Sequence, residues 1–216
     1  MNKTQALTGS EKRRAFLVGL CTLVTLPALQ GCFPLVAGGA AGAAIMIADR
    51  RTSGAFVEDE GIEWRTRNRL NERFGSSVNI SVTSYNRNVL LTGQVPDEAT
   101  RAEAGRIATA VDNVNGIINE LEIAGISSLT ARSNDTLVTS RVKARFVDAQ
   151  TFGAHHVKVV TENGTVFLLG IVTRREADAA TEVARTTAGV QKVVRVFEYI
   201  SDEDAARLDR NTQAQK

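Results

Sequence analysis

The chain has 216 residues, with 26 Lys and Arg against 24 Asp and Glu, 43% apolar residues and two cysteines. A net charge near +2 gives no global basis for nucleic-acid binding, and Cys21 and Cys32 alone cannot supply a disulfide framework. The length and apolar share suit one medium domain or two small ones, each stabilised by its core.

The N-terminal order is Lys12-Arg13-Arg14, an apolar run over residues 15–26, then Leu29-Gln30-Gly31-Cys32. The run is too short to span a bilayer comfortably and has the layout of a secretory signal. Leu29-Gln30-Gly31-Cys32 resembles the lipobox of bacterial lipoproteins. That resemblance implies removal of residues 1–31 as a signal peptide and acylation of Cys32, whose thiol is a better nucleophile than a hydroxyl. Phe33, rather than Asp, behind the cysteine implies sorting to the outer membrane. Arg13-Arg14-Ala15-Phe16-Leu17 also resembles a twin-arginine signal without the usual preceding Ser or Thr, so both export routes stand.

Residues 1–31 hold four of the basic side chains and one of the acidic ones, so the mature chain is about one unit negative. The pI of 8.7 belongs largely to the discarded peptide. With Cys21 removed and Cys32 acylated, no internal disulfide is expected.

Residues 33–47 are apolar and rich in Gly and Ala. As a helix they would reach ~22 Å, short of the ~30 Å hydrocarbon core, which makes residues 32–57 a tether near the membrane surface. Gly38 and Gly42 have helix-dimer spacing, but so Gly-rich a run reads better as a flexible connection. Asp49-Arg50-Arg51-Thr52-Ser53-Gly54 ends the apolar stretch with charge and opens the soluble part.

An internal repeat follows. Val89-Leu90-Leu91-Thr92-Gly93-Gln94-Val95 parallels Val166-Phe167-Leu168-Leu169-Gly170-Ile171-Val172, 77 positions on, and Arg69-Leu70-Asn71-Glu72-Arg73-Phe74 parallels Arg141-Val142-Lys143-Ala144-Arg145-Phe146, 72 positions on. Two copies in one order mean two similar domains, over residues 58–125 and 126–201. In the first, Ile62, Thr66, Leu70 and Phe74 make a helical stripe, and Val78, Ile80 and Val82 alternate as a half-buried strand. In the second, Val138, Val142 and Phe146 make the stripe, a strand covers residues 157–161, and Asn163-Gly164 suits a type I′ hairpin turn.

Thr173 and Glu176 form a capping box for the next helix, and Pro96 starts its counterpart. Closing strands fall at residues 117–123 and 193–200. The order helix, strand, strand, helix, strand predicts an α+β fold, with two helices on one face of a three-stranded sheet. The linker at residues 124–128 is short, so the domains should touch. Residues 202–216 lack a core pattern and read as a polar, mobile tail.

That element order, the Gly93 and Gly170 motifs, Gly189-Val190, Ser133-Asn134-Asp135-Thr136 and Val159-Val160-Thr161-Glu162-Asn163-Gly164 resemble the BON domain. Two copies behind a lipobox, with Asp49-Arg50-Arg51-Thr52 before the first, resemble the dual-BON-domain outer-membrane lipoproteins. The resemblance implies outer-membrane location facing the periplasm, support of envelope integrity, and contact with anionic phospholipid through the first helix of the second domain. BON motifs carry no catalytic signature.

The residues test that role separately. With Val138, Val142 and Phe146 turned to the core, Leu137 lies well round the helix near Arg141 and Ala144, with Arg145 at the margin and Lys143 opposite. An aliphatic side chain beside cations suits a lipid surface, so Leu137, Arg141, Lys143 and Arg145 are the candidate lipid-binding residues. Relatives often carry tryptophan where Leu137 stands, and leucine lacks an indole N–H to anchor at headgroup level. The competing reading packs Leu137 against the other domain. Trp64 lies off its own helical stripe and reads as a domain-packing residue before a ligand contact.

No nucleophile motif, phosphate loop or metal-ligand set is present in the sequence, so neither catalysis nor a cofactor is expected. His155 and His156, read on a strand, would point to opposite faces and could not chelate one metal, and are taken as surface or loop residues. A different class of function is an envelope scaffold for a protein partner such as outer-membrane assembly machinery, using the sheet surface or an interdomain groove.

Overall fold

The structure, a computed structural model, describes residues 49–214. The signal peptide, Cys32 and the tether up to residue 48 lie outside the described residues. The first domain comprises helix α1 (Ser53–Phe74), strands β1 (Asn79–Tyr85) and β2 (Asn88–Val95), helix α2 (Glu98–Thr109) and strand β3 (Gly116–Ile123). The second repeats that order with α3 (Leu129–Ala149), β4 (Lys158–Glu162), β5 (Thr165–Val172), α4 (Arg174–Arg185) and β6 (Lys192–Tyr199). A final helix, α5, spans Asp202–Ala214, where the sequence reading expected a mobile tail. Ser201 begins it by accepting a hydrogen bond from Asp204 N at 3.1 Å, and Ala205 is buried.

Each sheet has three strands, ordered β1-β2-β3 and β4-β5-β6, with the hairpin antiparallel and the last pair parallel. Helices cover one face of each sheet, because alternate strand residues are apolar on that side. Val82, Val89, Leu91 and Val95 meet Ile62, Leu70, Ala104 and Ala108 in the first core. Val159, Val166, Leu168 and Val172 meet Val138, Val142, Phe146, Ala177, Ala180 and Ala184 in the second.

The other strand residues build a third cluster. Tyr85 and Leu90 of the first domain pack with Phe167, Leu169 and Ile171 of the second, and Leu208 of α5 borders them. The two sheets therefore pack face to face, with a helical layer on each outer side. Polar contacts ring this seam: Lys158 Nζ donates to Glu63 Oε1 at 3.1 Å, Gln94 Nε2 to Glu162 Oε1 at 2.8 Å and Asn86 Nδ2 to Glu198 Oε2 at 2.7 Å.

The repeated glycines have steric causes. Gly93 has φ +114°, and a Cβ there would strike Asn79 O; a Cβ at Gly170 would strike His156 O. Thr173 and Glu176 form the capping box expected of them, whereas α2 is capped by Asp97 and starts two residues after Pro96.

Both hairpin turns run through positive φ, at Asn163 and Gly164 in the second domain and at Asn86 and Arg87 in the first. In each, a buried carboxylate on the first helix grips the turn. Asp135 accepts from the backbone N–H of Asn163 and of Gly164, both at 2.9 Å. Asp59 accepts from Asn86 N at 2.8 Å, Arg87 N at 2.7 Å and Ser84 Oγ at 2.7 Å. Asp135→Ala strips two turn amides of a charged acceptor and should cost about 3 kcal/mol, while exposed Asp148→Ala should change stability by under about 0.5 kcal/mol. Urea unfolding of the two variants checks this.

Candidate lipid-facing surface

Helix α3 starts at Ser128, whose hydroxyl accepts from Ala131 N at 3.1 Å. Val138, Val142 and Phe146 are buried and Asp135 holds the turn, so the rotation of the helix is fixed. The opposite face carries Leu129 at 79%, Leu137 at 54% and Val147 at 64% exposure. Leu129 and Val147 are five helical turns apart on one line, and Leu137 lies about 80° round from them. Ser133, Ser140 and Ala144 lie between, leaving a smooth outer ridge.

Leu137 is therefore an exposed residue, and the reading that packs it against the first domain does not hold. The exposed charges of α3 are Arg132, Arg141, Lys143 and Arg145 against Asp148. Lys143 has no hydrogen-bond or ion-pair partner among the described residues. Arg141 Nη1 donates to Ala188 O at 3.4 Å. Arg145 Nη1 donates to Val183 O, Thr186 Oγ1 and Thr187 Oγ1, each at 3.0 Å, and so places a cation at the C-terminal end of α4. Each guanidinium is held by one nitrogen and keeps its other N–H groups toward solvent.

Sequence reading missed Leu129 and Val147, although their spacing of 18 residues, a whole number of helical turns, was a usable signal. Trp64 is 62% exposed, so the expectation that it packs between domains is overturned. With Val57, seven residues earlier and 64% exposed, it marks the outer face of α1. The sheet faces offered as a partner surface are consumed by each other, apart from a groove of about 450 Å³ lined by Tyr85, Ile118, Leu169 and Val196.

The histidines lie in a 3-10 turn, Ala154–His156, not on a strand, and His156 is buried. It sits beside a cluster that the sequence did not disclose. Arg50 Nη1 and Nη2 bind Glu176 at 2.8 and 3.0 Å, Nε and Nη2 bind Asp209 at 2.8 and 3.0 Å, and Nη1 also donates to Ile171 O at 3.0 Å. His156 Nδ1 lies 3.7 Å from Glu176, beyond hydrogen-bond reach. Among the described residues, no cluster of His, Cys, Asp and Glu could hold a metal.

Burial opposes the charge on Glu176, but the neighbouring His156 imidazole, Arg50 and the Thr173 N–H outweigh it and hold the carboxyl well below the usual carboxylate range. The Arg50 hydrogen bonds likewise lower Asp209. Depressed folded-state values contribute stability that is present above the unfolded values, near 4, and lost as pH falls through the folded ones. Wild type should therefore exceed Asp209→Asn in urea midpoint at neutral pH, and the gap should close in strong acid, where a protonated Asp209 offers no more than Asn. Urea titrations across pH check this.

Residues 58–125 and 134–201 each match the BON domain, and the chain belongs to that family. It is a dual-BON-domain lipoprotein of the outer-membrane type: it is 38% identical to Outer membrane lipoprotein DolP of Haemophilus influenzae, over 88% of this chain and 96% of that protein. It is also 36% identical to the 21 kDa hemolysin of Actinobacillus pleuropneumoniae, over 70% of this chain and 79% of that protein. Osmotically-inducible protein Y of Escherichia coli is 31% identical over 65% of this chain and 72% of that protein. No described helix is long and apolar enough to cross a membrane.

Proposed function

We propose that this protein is a non-enzymatic lipoprotein, held in the outer membrane by acylated Cys32 and facing the periplasm, whose second BON domain binds anionic phospholipid through α3 and so supports outer-membrane integrity. One observation carries the reading: Leu129, Leu137 and Val147 stand exposed on the side of α3 away from the core, flanked by Lys143, Arg141 and Arg145. The aliphatic side chains enter the interface while the cations meet phosphates. Leucine and valine supply insertion without the headgroup-level anchoring of an indole, so the contact is a modest one.

A second reading, a scaffold for an envelope protein such as outer-membrane assembly machinery, is favoured by Trp64 and Val57. They lie on the helical layer opposite α3, so both faces cannot rest on one flat bilayer.

Vesicle co-sedimentation of acyl-free protein (Cys32→Ser) tests the lipid reading. Binding is expected only with anionic phospholipid, weakening as salt rises, and falling about tenfold or more in Leu137→Asp or Val147→Asp. Equal binding to neutral and anionic vesicles, or none to either, overturns it and moves the search to protein partners.

A further inference from the structure

Arg50 and Arg51 are adjacent in sequence yet serve different domains. Arg50 enters the second domain, where its side chain is 2% exposed. All five of its N–H groups are matched by acceptors: two carboxylates, each gripped through two nitrogens, and the Ile171 carbonyl. Glu176 is the capping-box acid at the start of α4, and Asp209 lies on α5, so this one guanidinium joins the segment ahead of α1, the second domain and α5.

Arg51 turns to the first domain. It pairs with Asp49 at 2.6 Å and Asp59 at 2.7 Å and lies 4.0 Å over the Tyr85 ring. Asp59 is the acid that grips the first hairpin turn, and Tyr85 belongs to the interdomain core.

We propose that Asp49-Arg50-Arg51 is a two-armed clasp: it fastens both domains and α5 together just ahead of α1, and releasing the Arg50 arm frees α5 and residues 49–52 without unfolding either domain. Two adjacent charged side chains buried in this way cost desolvation that core packing alone would avoid. The two carboxylates that Arg50 grips lie 126 and 159 residues away, on the two helices, α4 and α5, that this arm of the clasp joins. Shallow burial holds α5 otherwise, through Ala205 and the edge of the interdomain core. This inference goes beyond the lipid reading and does not depend on it.

Amide hydrogen exchange of the full-length chain tests it. Asp209→Asn removes the α5 side of the arm while leaving Glu176 paired. It should speed exchange over residues 202–214 by about tenfold, with α1 to α4 and the strands unchanged. Arg50→Gln should do the same and also loosen residues 49–52, and the double variant should add little to Arg50→Gln. Should Arg50→Gln fail to fold because Glu176 is left buried and unpaired, Asp209→Asn carries the test alone. Unchanged exchange in α5 overturns the clasp, since α5 would then be held by packing. A uniform rise over both domains overturns it as well, since Arg50 would then be a general stabiliser.

Discussion

A three-stranded sheet has two faces, and each BON repeat provides helices for only one. Val89, Leu91 and Val95 point to the helices of the first domain, and Leu90 between them must be covered from elsewhere. The same holds for Phe167, Leu169 and Ile171 in the second. The duplicated chain meets the requirement by laying one uncovered face on the other. From that come the four-layer order, the ring of polar contacts about the seam, and the orientation of every outer helix.

Face-to-face sheets force the two helical layers to look in opposite directions. The first helix of each repeat is thus an outer surface with its own character, although the two share a core stripe and a turn-gripping aspartate. On α3 the outer side holds aliphatic residues with cations alongside. On α1 it holds Trp64 and Val57 with charges of both signs, Glu60 and Arg67, within a turn of Trp64. Duplication conserved the inward chemistry, which packing dictates, and left the outward chemistry to diverge. Because the layers look in opposite directions, one flat bilayer could meet only one of them.

Much of this was legible in the sequence because it is local or periodic. Repeats of four along α1 and α3, alternation along the strands, the Thr173–Glu176 capping box and the Asn163-Gly164 turn each carry their meaning within a few residues. The first-domain turn escaped because Asn86-Arg87 places an ordinary side chain at positive φ, and only the grip of Asp59 makes that tolerable. Helix α5 escaped because the apolar anchors that the described residues show, Ala205 and Leu208, are too few for a hydrophobic stripe, and Asp209 is held by charge. The Arg50 cluster was invisible in principle: charge pairs between residues 50, 176 and 209 leave no trace in composition or period, and Asp49-Arg50-Arg51 reads locally as an ordinary end to an apolar run. His156 was misread for a related reason, since the turn that buries it is set by Gly153 and the crossing over Gly170 rather than by its own neighbours.

The modest character of the α3 surface fits the anchoring proposed for Cys32. Several acyl chains there would hold the protein at a membrane firmly without help from a folded domain. Leucine and valine in place of an aromatic anchor, with cations that retain free N–H groups, make at most a weak headgroup contact, which suits the proposed function only if acylation of Cys32 supplies the firm attachment.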